Sequence, residues 1–116
     1  MNIEAQKIND FIALKPRYFD LLKSINLTRN INQESCSRYD IEIVLCQLEG
    51  NDQQLRIKFK NAFDIKLNRL EGLPGLLVDI EDVSSMQLEG GKYRVVEQEE
   101  RAFSFYCEDF FTELTR

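Results

Sequence analysis

The sequence predicts a mainly β fold at the border of α+β, with about seven short, mostly antiparallel strands and one short N-terminal helix. Three observations predict it. Tyr39-Asp40-Ile41-Glu42-Ile43 and Leu55-Arg56-Ile57-Lys58-Phe59-Lys60 both alternate apolar and polar residues with period two. Such alternation puts one side of a sheet in the core and the other in water. A hairpin turning at Gly50 then sets Ile43 against Ile57 and Ile41 against Phe59, with Glu42 against Lys58 and Asp40 against Lys60 on the other face. Opposite charges across strands help to fix such a register. Third, two separate turns in the last part of the chain give one inward set: Tyr93, Val95, Phe103, Phe105 and Cys107. Strands of this kind favour a sandwich or a curved, barrel-like sheet. The alternative is one open sheet with a helix on its inner face.

The elements follow in order. Ile8, Phe11 and Ile12 fall at helical spacing within Ile3 to Leu14, and Pro16 disfavours helical geometry at Lys15. From Pro16 to Ile25 two readings compete. Tyr18, Leu21, Leu22 and Ile25 fit a helix, whereas Ile25 to Thr28 alternates as a strand. We favour a turn at Arg17 to Asp20 and a strand over Leu22 to Arg29. Asn30 to Ser37 is polar and reads as a loop. Strands are expected at about 39–48, 53–60 and 63–67, followed by a turn or loop at Glu71-Gly72-Leu73-Pro74-Gly75 and an apolar strand at Leu76 to Ile80. Gly90-Gly91 suits a two-residue turn that would oppose Leu88 to Tyr93 and Met86 to Val95. The next turn, at Gln98-Glu99-Glu100, would oppose Glu97 to Arg101, Val95 to Phe103 and Tyr93 to Phe105. The chain thus reads as one domain over 1–116, with a helix within 1–14 and an antiparallel β unit over 21–110.

Composition narrows the function. The 116 residues are 43% hydrophobic and 30% charged, a balance that suits a soluble, cored domain of this length. No apolar run reaches the ~20 residues of a membrane span, and Met1 to Gln6 has no signal-peptide pattern. The expected compartment is the cytoplasm, with Cys36, Cys46 and Cys107 as reduced thiols and Cys107 as core filler. The net charge of -5 is concentrated in residues 61–116. It argues against nucleic acid, whose phosphates need Lys and Arg, and permits a basic protein partner.

The chain has no histidine. That removes the commonest general base, the Ser-His and Cys-His nucleophile pairs and the commonest transition-metal ligand. No phosphate-binding glycine loop is present, because Gly72 to Gly75 lacks the lysine and helix start that such a loop requires. Carboxylates cluster at Asp79, Glu81 and Asp82 and again at Glu97, Glu99 and Glu100. Such groups can serve hydrolysis or hold a hard metal. Here one borders a strand end and the other fills a turn, where acids are ordinarily solvated. Arg56, Lys58, Lys60 and Lys66 read as cations paired with Asp40, Glu42 and Asp64 on a wet sheet face, with no aromatic between them to stack a base. In Phe110-Phe111 one ring is expected inside and its neighbour outside. No catalytic residue, cofactor site or metal ligand is assigned.

Several segments resemble a group of small bacterial immunity proteins of polymorphic toxin systems and related mainly β proteins of uncharacterised function. Lys15-Pro16-Arg17-Tyr18-Phe19-Asp20 is similar to that group's Pro-x-Phe-His-Asp segment, and Leu22 to Arg29 to the strand after it. Leu55 to Leu67 resembles its two central strands, and Phe103-Ser104-Phe105-Tyr106-Cys107 its closing strand. Phe19 stands where the group often has histidine, so no role of that histidine carries over. Asp20 matches, and its expected work is structural, as a turn carboxylate that accepts backbone N–H groups.

The resemblance implies a non-enzymatic protein that binds and neutralises a cognate toxin. In that reading Asp79, Asp82, Glu97, Glu99 and Glu100 are the candidate contacts to a basic toxin surface. The alternatives are a self-associating domain that dimerises through an edge strand, and a carboxylate enzyme using a divalent metal at Asp79, Glu81 and Asp82.

Overall fold

A computed structural model describes residues 2–31, 37–47, 52–72 and 75–115. Gly50, Cys36 and the Leu73-Pro74 part of the expected turn lie outside them. The seven strands are β1 (Leu21–Arg29), β2 (Tyr39–Cys46), β3 (Gln54–Leu67), β4 (Val78–Asp82), β5 (Tyr93–Glu97), β6 (Phe103–Cys107) and β7 (Asp109–Thr115), preceded by helix α1 (Ile3–Ala13). They form one open sheet, ordered β1-β2-β3-β6-β5-β4, with β7 also paired to β3. The open sheet with a helix, the second of the two expected architectures, is therefore the observed one.

One long run carries the bend of this sheet, where the pairing shifts register between Phe59 and Ala62 and again between Phe63 and Lys66. Residues expected as separate strands at 53–60 and 63–67 are one continuous strand, β3. Its first half pairs with β2 and β7, and its second half with β6. β6 and β7 follow one another along the same edge of β3. The bend needs left-handed backbone, and Asn61 (φ 55°) and Asp64 (φ 51°) supply it; Asn and Asp tolerate that region better than most residues. A polar knot holds the corner. The Asn61 amide donates to Glu108 (2.9 Å) and its oxygen accepts from Asn30 (2.7 Å). Asp40 accepts from the Asn61 N–H (3.1 Å), Asn30 (3.0 Å) and Lys60 (2.9 Å). Burial alone would raise the Asp40 carboxyl, but Lys60, Asn30 and the Asn61 N–H outweigh it and hold its pKa below the ordinary value.

The β2–β3 register agrees with the alternation: Ile43 opposes Ile57, Ile41 opposes Phe59, and Glu42 opposes Lys58. Ion pairs join Arg56 and Lys58 to Glu42, and Lys60 to Asp40.

The core fills the inner face. Tyr93, Val95, Phe103, Phe105 and Cys107 are all buried as expected. Phe110 is 1% exposed and Phe111 is 52% exposed, so the pair divides between core and surface. Phe110 meets Phe11 of α1 edge to face at 6.3 Å and Tyr93 at 4.8 Å. This contact seats the helix on the sheet. Asn2 caps α1 by accepting the Ala5 N–H at 2.7 Å, which satisfies one of its unpaired first-turn donors.

Two expected hairpins differ. Val95 opposes Phe105 and Tyr93 opposes Cys107, a shift of two residues that leaves every side chain on its predicted face. On the other side Val95 opposes Ile80, not Met86, because β4 runs to Asp82 and a 3-10 turn at Ser84–Met86 intervenes. The turn near Gly90 is closed by the Gly91 N–H on the Leu88 carbonyl (3.0 Å), so Glu89 and Gly90 are its centre and Gly90 carries φ 70°.

Candidate partner interface

Pro16 stops α1 and begins a single 3-10 turn, Pro16–Tyr18. This settles the ambiguous stretch in favour of a turn followed by strand β1. The turn sends Phe19 into the core (4% exposed) and Tyr18 out into water (59%). The Leu76 N–H donates to the Asp20 carbonyl (2.9 Å), tying the turn to the start of β4. Asp20 thus takes part in this tie through its main-chain carbonyl.

A groove of about 390 Å³ lies between these two pieces of chain. Phe11, Ile12, Lys15, Pro16, Arg17 and Tyr18 form one wall, and Leu77, Val78 and Asp79 the other. A second depression of about 480 Å³ continues past Arg17 and Leu77 to Asp20, Gly75, Glu99 and Glu100. Ile12 is 58% exposed. Helical spacing had grouped it with Ile8 and Phe11, but Leu14 takes the inward place. Large exposed apolar side chains beside a concave apolar floor, rimmed by charge, are what protein interfaces offer.

The expected acidic contacts separate. Asp79, Glu99 and Glu100 line this continuous depression. Asp82 sits at the far end of β4, where it accepts from the Ser84 hydroxyl (2.6 Å) and N–H (3.0 Å). Those two bonds lower its pKa.

Glu97 must be withdrawn from the surface set, because its side chain is fully buried. One carboxylate oxygen accepts the N–H groups of Glu100 (2.8 Å) and Ala102 (3.0 Å), and the other those of Glu99 (2.8 Å) and Leu77 (3.0 Å). Burial pushes its pKa up, but the four donors push it down further, and the net shift is downward. This cradle also explains the two-residue shift of the β5–β6 pairing. The chain from Gln98 to Ala102 wraps around the carboxylate instead of turning tightly. Glu97 thus builds the loop that presents Glu99 and Glu100.

Asp79 accepts from Gln98 (3.1 Å), and Glu81 pairs with Arg94 (3.7 Å). Among the described residues no group of three or more Cys, Asp or Glu side chains is arranged to hold a metal ion. Cys107 is enclosed in the core, and burial raises its thiol pKa strongly. Sequence reasoning missed Ile12, Lys15, Arg17 and Tyr18 as site residues. The one available signal was a tyrosine in a proline-started turn.

The family model for immunity protein PIM8 matches residues 3–113. The chain belongs to this immunity protein family. Comparison with curated proteins and with solved structures returned no significant match. Membership agrees with the resemblance seen in the sequence, and the Lys15-to-Asp20 segment that carried part of it forms one wall of the groove. An immunity protein of this family serves to neutralise a toxin.

Proposed function

We propose that this immunity protein neutralises its cognate toxin in the cytoplasm by stoichiometric binding through the groove between the Pro16–Tyr18 turn and β4, without chemistry of its own. The observation that carries the reading is the joint exposure of Ile12 and Tyr18 beside an apolar floor rimmed by Asp79, Glu99 and Glu100. An apolar toxin side chain fills the groove, and basic toxin residues meet the acidic rim. Lys15 and Arg17 on the opposite wall select for a carboxylate beside that basic cluster. Charge complementarity of this kind speeds and orients association more than it deepens affinity. The absence of histidine and the partnering of Asp79, Glu81 and Asp82 within the fold support a binder over an enzyme.

The test is co-expression with the toxin. Growth should be restored by the wild-type chain and lost with Tyr18→Asp, whose site is exposed enough to leave the fold intact. Rescue by both alike would move the interface elsewhere.

β1 and β4 end the strand path of the sheet, which favours a second reading, self-association through an edge strand. A monomeric mass at high protein concentration would exclude it.

A further inference from the structure

We propose that the outward face of the β3–β6–β5 half-sheet holds a site for a short acidic peptide segment of a protein partner. This face carries a depression of about 450 Å³, separate from the groove. Lys66 of β3, Arg94 of β5 and Arg101 of the β5–β6 loop converge on it, with Asn68, Gln98 and Ser104 as polar lining. The register explains the convergence. Lys66 opposes Ser104, and Ser104 opposes Val96, so one row crosses three strands; Arg94 stands two residues before Val96 on the same face.

Arg101 is placed by a prepared backbone. It has φ 54°, in the left-handed region. Glu97 accepts the N–H groups on either side of it, from Glu100 and Ala102. The Asn68 amide donates to the Arg101 carbonyl (2.6 Å) and the Asn68 N–H to the Ala102 carbonyl (2.8 Å). Part of the ordering that a binding loop must undergo is therefore already complete. Lys66 and Arg101 form no ion pair with any described residue, and Arg94 has only the looser contact to Glu81 at 3.7 Å. The sequence expected Lys66 to be neutralised on the face of Arg56, Lys58 and Lys60; the bend of β3 carries it to this other half.

Three cations with neutral donors between them fit carboxylates, which accept charge-assisted hydrogen bonds from Arg and Lys. A polyanion fits less well. The whole chain carries -5, and the one ring in the lining, Phe103, is 1% exposed and offers no stacking surface. The inference does not depend on the toxin reading, since Gln98 and Asp79 divide this depression from the groove.

The test titrates the isotope-labelled full chain at low salt with hexaglutamate and, separately, with a single-stranded oligodeoxynucleotide of equal charge, read by amide chemical shifts. The expected result is saturable shifts with hexaglutamate clustered at Lys66, Asn68, Arg94, Arg101 and Ser104. They should vanish in Lys66→Glu/Arg101→Glu and weaken in the milder Lys66→Gln/Arg101→Gln, with the remaining spectrum unchanged. Scattered or absent shifts, equal shifts in the variants, or a stronger response to the oligonucleotide would each overturn it.

Discussion

The carboxylate of Glu97 accepts the backbone N–H of Ala102 at 3.0 Å across a five-residue separation, and this bond closes the loop that carries Glu99, Glu100 and Arg101. A buried acid with four main-chain donors replaces the tight turn that the sequence suggested. Glu97→Gln keeps the shape but turns an N–H₂ group toward two N–H donors. A cost of about 2–4 kcal/mol is expected by urea unfolding, the desolvation penalty of unpaired buried donors. The pH dependence has a fixed sign. The folded pKa of Glu97 lies below its ordinary value, so its contribution is complete above the unfolded value of about 4.3 and is lost as pH falls through the folded pKa. The wild type should lose stability on acidification faster than Glu97→Gln.

Asn61 combines two separable effects. Its left-handed backbone favours Asn or Gly, and its amide joins Asn30 to Glu108. Asn61→Gly should lose the side-chain bonds alone, about 1–2 kcal/mol. Asn61→Ala should add about 1 kcal/mol for the backbone. Equal destabilisation of the two variants in chemical denaturation would contradict the role of the left-handed corner.

Neighbouring phenylalanines should behave oppositely. Phe110→Ala removes a fully buried ring that touches Phe11, Phe59 and Tyr93, at a cost of about 3–5 kcal/mol. Phe111→Ala removes a half-exposed ring whose main partner is the Lys7 ammonium, 4.3 Å from its centroid, at a cost of about 0.5–1 kcal/mol. Thermal unfolding of both variants provides the comparison.

Reversal of the acidic rim should act on kinetics. Glu99→Lys/Glu100→Lys is expected to lower the toxin association rate about tenfold at low salt and to change dissociation little. Stopped-flow association across a salt series measures this; an unchanged rate and salt slope would remove these residues from the encounter surface.

Much of the fold was legible because local pattern and cross-strand charge agreed. Ile41, Ile43, Ile57 and Phe59 alternate with Asp40, Glu42, Lys58 and Lys60, and only one register satisfies both faces. The β5–β6 pairing was misread because Glu97 looked like one more solvated turn acid; its burial depends on donors at Leu77 and Ala102 that no local pattern reveals. The continuity of β3 was hidden by Asn61 and Asp64, which read as turn residues and act as a bend within a strand. The groove joins residues 11–18 to residues 77–79, so neither segment announces it alone. Charge singled out Asp79, Glu99 and Glu100, which line the depression, whereas Ile12 and Tyr18, which line it too, were assigned to a helix face and a turn.

The measurement that tests the account most directly is titration calorimetry of the toxin with the wild-type protein and with Tyr18→Ala. One-to-one binding by the wild type, weakened about 30-fold or more by Tyr18→Ala with the fold unchanged, is the predicted result for an anchor residue worth about 2 kcal/mol. Equal affinity of the two proteins, or toxin inactivation at far less than equimolar immunity protein, would contradict neutralisation by binding at this groove.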